Sequence, residues 1–297
     1  MQQFDVPILM LVFNRASTTQ IVVERLRAIQ PSRIYVASDG PRAHKEGEKE
    51  KCAAVKQVFR DIDWPCEVRT LYRDENMGGP DAISQAITWF FSQEEVGIIL
   101  EDDILADISF FPYCKELLHK YKDDNSVMHI SGFNFDIDTS EIDESYFFSG
   151  YSAPAWGWAT WKRAWDLFNW EYKDNVEQTQ EKLKKTFSNK KAAKYFGKCL
   201  TRYNWDYQWM NTVVSNEGIC ILPRKNMILN IGFGEHATHT KDKSHPLANV
   251  NTYPNPIEIH PKQKIINSLF DDRIFNKNFN VSLLAKVKTK LRLMSKV

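Results

Sequence analysis

The residues best suited to chemistry in this chain are acidic, and three of them are adjacent. Glu101-Asp102-Asp103 follow the apolar run Ile98-Ile99-Leu100. Three neighbouring carboxylates repel one another, and their burial is costly without a counter-charge. A divalent cation bridging to a diphosphate supplies that charge, and hard oxygen ligands suit Mg²⁺ or Mn²⁺. The same triplet could instead form an acidic loop before a helix, where Asp is favoured. A second candidate is Asp206, set between Trp205 and Trp209 in the run NWDYQW. Apolar surroundings raise a carboxyl pKa and suit a general base, whereas a helix N-cap is its structural alternative. His236 and His239 lie three apart in GFGEHATHT, 232–240. They could add a metal ligand or serve only as polar surface. No Cys and His set has zinc spacing. Gly78-Gly79 is a weak phosphate-loop signal, because neither established glycine pattern surrounds it.

These groups need elements to position them. Residues 7–13 (PILMLVF) predict a buried strand, and 17–29 a helix whose Ser17-x-x-Gln20 start resembles a capping box. Strands follow at 33–37, 67–72 and 96–100, with helices at 45–61 and from about 80 to 92. Strands alternating with helices predict an α/β fold with a mainly parallel sheet flanked by helices. Ligands bind beyond the carboxyl ends of such strands. Asn14-Arg15, Ser38-Asp39-Gly40 and the acidic triplet all sit at such ends and should converge on one crevice. Farther on, 178–198 reads as a lysine-rich helix, 204–216 as a short helix, and 218–222 and 227–231 as strands.

The 297 residues carry a net charge of +1 that is a cancellation: residues 1–150 sum to −11 and 151–297 to +12. The composition excludes a disordered or fibrous chain, and no apolar run is long enough to cross a bilayer. No signal peptide is apparent, and five scattered cysteines suit a reducing compartment, so a cytoplasmic location is expected. Five of nine tryptophans fall within 156–170. Most should be core, although an exposed cluster could form a platform for the C–H face of a sugar. No linker divides the chain, so one domain is expected over 1–280, its second half (150–280) lining the acceptor side of a crevice opened by the first (1–149). Residues 282–297 carry five basic and no acidic residues between apolar ones. This tail reads either as a helix attracted to anionic membranes, on the inner face of the cytoplasmic membrane, or as a solvated basic segment. No nucleic-acid recognition motif is evident.

Taken in order, these pieces resemble glycosyltransferases of the GT-A fold, most of all N-acetylglucosaminyltransferase I and its bacterial relatives. The likeness covers roughly 7–240: Val12-Phe13-Asn14-Arg15, Ser38-Asp39-Gly40, Leu100-Glu101-Asp102-Asp103 with Ser109-Phe110-Phe111, PAWGW at 154–158, Trp205-Asp206 and Ala237-Thr238-His239. The resemblance implies a Rossmann-like nucleotide-sugar fold. It places Asn14, Arg15, Asp39 and Trp158 in the nucleotide-sugar site, with Arg15 and Asp39 toward uracil and ribose. It implies that Asp103 binds Mn²⁺ or Mg²⁺, that Glu101 and Asp102 contact sugar and ribose hydroxyls, and that Asp206 is the catalytic base. Thr238 would belong to a loop ordering over the diphosphate, and His239 is a weaker metal candidate. The expected reaction is inverting transfer of GlcNAc or a related hexose from a UDP-sugar to a glycan or glycolipid hydroxyl. Segments 170–200 and beyond 245 have no counterpart in the family. The alternatives are a sugar-nucleotide nucleotidyltransferase, which would carry a Gly-rich loop after the first strand, and a non-catalytic carbohydrate-binding protein.

Overall fold

A computed structural model describes residues 3–151, 156–171, 176–233, 247 and 250–280, with backbone alone at 176. Eight strands form one mixed sheet in the order β3-β2-β1-β4-β8-β6-β9-β7. The first half of this sheet is parallel, with apolar central strands and a more polar edge strand. β1 (Ile8–Val12) is buried along its whole length, as a strand covered on both faces must be. It pairs in parallel with β2 (Arg33–Ser38) and β4 (Val96–Glu101), and β2 pairs with β3 (Glu67–Tyr72). Helices α1 (Ala16–Arg27), α2 (Glu48–Arg60) and α3 (Gly79–Phe91) make the crossovers. The chain builds outward from β1 through β2 to β3, then returns to the other side of β1 for β4. Right-handed crossovers put the helices of the two directions on opposite faces and open a crevice at the carboxyl ends of β1 and β4.

The other half is antiparallel in part. β8 (Trp158–Trp161) lies antiparallel between β4 and β6 (Val127–Ser131); β9 (Ile219–Pro223) pairs with β6, and β7 (Tyr146–Ser149) forms the edge. A separate ribbon joins β5 (Ile104–Ala106) to β10 (Ile228–Asn230), with Ile104 opposite Asn230. Strands from before and after residue 150 therefore share one sheet. Helix α4 (Phe110–Lys120) follows β5; α5 (Lys162–Trp165) follows β8. Helices α6 (Val176–Thr186), α7 (Lys190–Cys199) and α8 (Trp205–Ser215) precede β9, and α9 (Ser268–Ile274) ends in a π turn.

Two local expectations are corrected. Ser17 caps no helix: Arg15 is the N-cap residue of α1, and no side chain caps it. The Arg15 carbonyl accepts from the Thr19 amide and from the Thr18 and Thr19 hydroxyls, so helical bonding starts two residues ahead of Ser17. The single helix expected over 178–198 is two, because Asn189 accepts from the amides of Lys191 and Ala192 and starts α7 anew. Cap chemistry at Ser188-Asn189 outweighs the charged periodicity. Among the described residues no helix is long and apolar enough to cross a membrane. The 282–297 tail lies outside the described residues.

Candidate functional site

The in-register pairing of β1 with β4, Leu11 beside Glu101, decides what meets at the crevice. The Asp102 amide donates to the Leu11 carbonyl. Residues just beyond β1 therefore face residues just beyond β4, and Arg15 meets the triplet. Its guanidinium bonds Asp102 and, at 2.8 Å, Asp103 Oδ2. Burial opposes ionisation of Arg15, but the two carboxylates outweigh it and raise its pKa. Arg15, expected toward uracil, thus stands as the resident counter-charge of Asp102 and Asp103.

The three acids are not equivalent. Asp102, 2% exposed, accepts from Arg15 at Oδ1 and from the Phe13 amide at Oδ2. Each oxygen thus has a protein partner. Burial lifts its pKa to about 6 against the pull of Arg15. Glu101 is pushed well above the usual carboxylate range, first by burial, then by Asp103 and Asp102. Asp103 gives one oxygen to Arg15, while its buried Oδ1 has no hydrogen-bond partner among the described residues. Its carbonyl accepts from the Ile231 amide, which brings the end of β10 across the site. A Cβ at Gly232 would overlap Asp103 Oδ2 and crowd Arg15, so this position is restricted to glycine.

These groups form one end of a cavity of about 440 Å³ lined by Phe13, Arg15, Asp39, Arg42, Arg73 and Glu101 to Asp103 among others. Gly78 and Gly79 at the start of α3 also line it, as do Trp156, Asn230, Gly232 and Phe233. Asp39 lies in the wall, but its carboxylate accepts from the amides of Gly40, Met77 and Gly78 and from Asn76 Nδ2. It thus takes up the amides of Met77 and Gly78 just ahead of α3. Asn14, expected in the site, donates to Glu48 Oε1 at 2.9 Å. Glu48 in turn clamps Arg42, and that bond first of all holds its pKa near 2. Trp158, expected in the nucleotide-sugar site, is 0% exposed and packs in the core against His129, Trp205 and Trp209.

Asp206 sits in the first turn of α8 with Asn204 as the N-cap residue, so the cap alternative is not taken up. It lies close enough to Glu101 to raise that group's pKa. Base candidate and acidic triplet therefore share one neighbourhood. Arg73 was not singled out from the sequence. It follows β3 directly and lines the cavity, and its only side-chain hydrogen bond among the described residues goes to Gln85 at 3.5 Å. Applying the strand-end rule to β3 would have found it. Thr238, His236 and His239 lie outside the described residues, as does part of the PAWGW run.

No three His, Cys, Asp or Glu side chains converge as a metal site among the described residues. The orphaned Asp103 Oδ1 nevertheless fits a cation held by one carboxylate and completed by water and substrate phosphate, the usual manner of Mg²⁺.

No protein-family model matches the chain, and no curated protein matches it. Several solved structures align in part. HddC from Yersinia pseudotuberculosis complexed with GMP-PN is 13% identical, with a TM-score of 0.29 over 42% of this chain and 56% of that one. This chain thus spans little more than half the length of that protein. UDP-glucose pyrophosphorylase complexed with UDP-glucose is 11% identical, with a TM-score of 0.38 over 74% and 90% of the two chains. Mouse xyloside xylosyltransferase 1 is 9% identical, with a TM-score of 0.34 over 70% and 81%.

Proposed function

We propose that the protein is a metal-dependent inverting glycosyltransferase that moves a sugar from a UDP-sugar to a hydroxyl of a glycan or glycolipid. The observation that carries this reading is Asp103 Oδ1, buried and without a hydrogen-bond partner among the described residues, at a cavity whose wall also holds Arg73. Asp103 would hold Mn²⁺ or Mg²⁺, which when bound supplies Lewis-acid stabilisation of charge on the departing diphosphate. Arg15 holds Asp103 in place and keeps the acid cluster from repelling an anionic substrate. Arg73 offers a further charge to the diphosphate. Asp206 takes the proton from the acceptor hydroxyl as that oxygen attacks C1. Holding donor and acceptor across one crevice supplies the orientation.

Isothermal titration of UDP with and without Mn²⁺ tests the donor site, and incubation with a panel of UDP-sugars tests turnover. Mn²⁺-dependent UDP binding with slow release of UDP in water is expected. Absence of UDP binding in both conditions would reject the reading. Release of pyrophosphate from a sugar 1-phosphate and a nucleoside triphosphate would point instead to a nucleotidyltransferase.

A further inference from the structure

The aromatic cluster expected from the sequence continues to the surface. Trp209 and Trp165 lie 5.2 Å apart in the core; Phe168 stacks on Trp165 at 4.5 Å, and Trp170 meets Phe168 edge-on at 5.5 Å. The series ends at Tyr203, stacked on Trp170 at 4.6 Å and 21°, with 55% of its surface exposed. Its hydroxyl donates to Asp81 at 2.5 Å, in the first turn of the helix whose Gly79 lines the cavity. Three residues beyond Tyr203 stands Asp206. An aromatic face held rigid from behind and pinned at its hydroxyl loses little entropy when an apolar surface covers it.

A second, independent feature lies on the helix that runs into this aromatic end. Lys190, Lys191, Lys194 and Lys198 are all exposed, at spacings that put them on one side of α7 over about 12 Å. None of the four is ion-paired with another described residue. Helix α7 ends at Cys199, and a turn closed by the Arg202 amide on the Cys199 carbonyl leads directly to Tyr203. Its apolar residues Ala192, Ala193, Phe196 and Cys199 are buried. The lysine face therefore has no large apolar side chain to enter a bilayer, and the charge suits a polyanion better than a membrane.

We propose that Tyr203, backed by Trp170, stacks on a pyranose of an anionic saccharide whose acidic groups extend along the α7 lysines. Its role as acceptor site rests on the donor reading above; saccharide binding itself does not. The test is titration of the full chain with uronate-bearing and phosphate-bearing tetrasaccharides and their neutral counterparts. Binding is read by saturation-transfer NMR, with anionic phosphatidylglycerol vesicles and UDP plus Mn²⁺ in parallel. At least one anionic saccharide should bind, with salt screening the interaction. Tyr203→Ala should weaken it about tenfold or more, a loss of 1.4 kcal/mol or more. Tyr203→Phe keeps the ring and should retain most of the binding, which separates stacking from a structural tie to Asp81. Lys191→Gln with Lys194→Gln should remove the preference for anionic over neutral saccharide while UDP binding is unchanged.

No saccharide binding, or binding indifferent to these variants, would overturn the proposal. So would lysine variants that lose vesicle binding and leave saccharide binding intact. Saccharide binding without UDP binding would uphold the platform and reject the donor reading, and the converse result would do the reverse.

Discussion

Arg15 donates to both Asp102 and Asp103, but only Asp103 keeps an oxygen with no partner among the described residues. Substitution at these neighbours should therefore separate. Asp103→Asn should weaken Mn²⁺-dependent UDP binding about tenfold or more, checked by titration, because the anionic acceptor is gone. Asp102→Asn should act on folding, at about 1–3 kcal/mol in urea denaturation, because it breaks the tie between the ends of β1 and β4. Asp206→Asn should lower turnover by about 10²–10⁴ while UDP binding stays within error; equal losses in both would reject its role as base. The place of this site was legible, since the strand-end rule put Arg15, Asp39 and the triplet in one region. The present contacts of Arg15, Asn14, Asp39 and Asp102 were not. Those depend on which way each side chain turns, and that follows from strand register and from partners such as Glu48 and the Met77 amide.

At the scale of elements, the parallel strands and their helices could be read because each apolar run is short, continuous and bounded by turn residues. β8 was hidden for the opposite reason: WATW sits in a segment so rich in aromatics that periodicity carries no information. Burial shows its weight. Trp158 contacts two tryptophans of α8 and the ring of His129, so Trp158→Ala should cost about 3–5 kcal/mol by chemical denaturation. With saturating UDP and Mn²⁺ at a temperature where the variant remains folded, UDP affinity should change little. A selective loss of UDP binding would restore Trp158 to the site.

For the whole molecule, two buried groups tie distant segments and titrate in opposite senses. Asp271 on α9 accepts from Ser149 Oγ and the Gly150 amide, and burial lifts its pKa from 3.8 to about 7. Its folded-state pKa is raised, so its stabilisation is full below about pH 4 and is lost as pH climbs to 7. His129 accepts from Trp209 Nε1, and burial lowers its pKa from 6.5 to about 3. Its stabilisation is full above pH 6.5 and is lost as pH falls toward 3. Between pH 4 and 6.5 the two slopes oppose, each about 1.4 kcal/mol per pH unit at most. Asp271→Asn should therefore make stability rise more steeply with pH across that window than in the wild type, and His129→Gln should make it rise less or fall. Urea denaturation at pH 4.5, 5.5 and 6.5 checks both, and parallel curves for all three proteins would refute the assignment.

The position of β8 in the sheet also has a consequence for synthesis. Its residues 158–161 fill the gap between β4 at 96–101 and β6 at 127–131, both of which leave the ribosome earlier. Until residue 161 emerges, those two strands present unpaired apolar edges to the cell. The nascent first half therefore has to wait, and at about 5–20 residues per second the delay after β6 lasts seconds. A fragment ending at residue 149 should collect in the insoluble fraction on expression, whereas the full chain stays soluble.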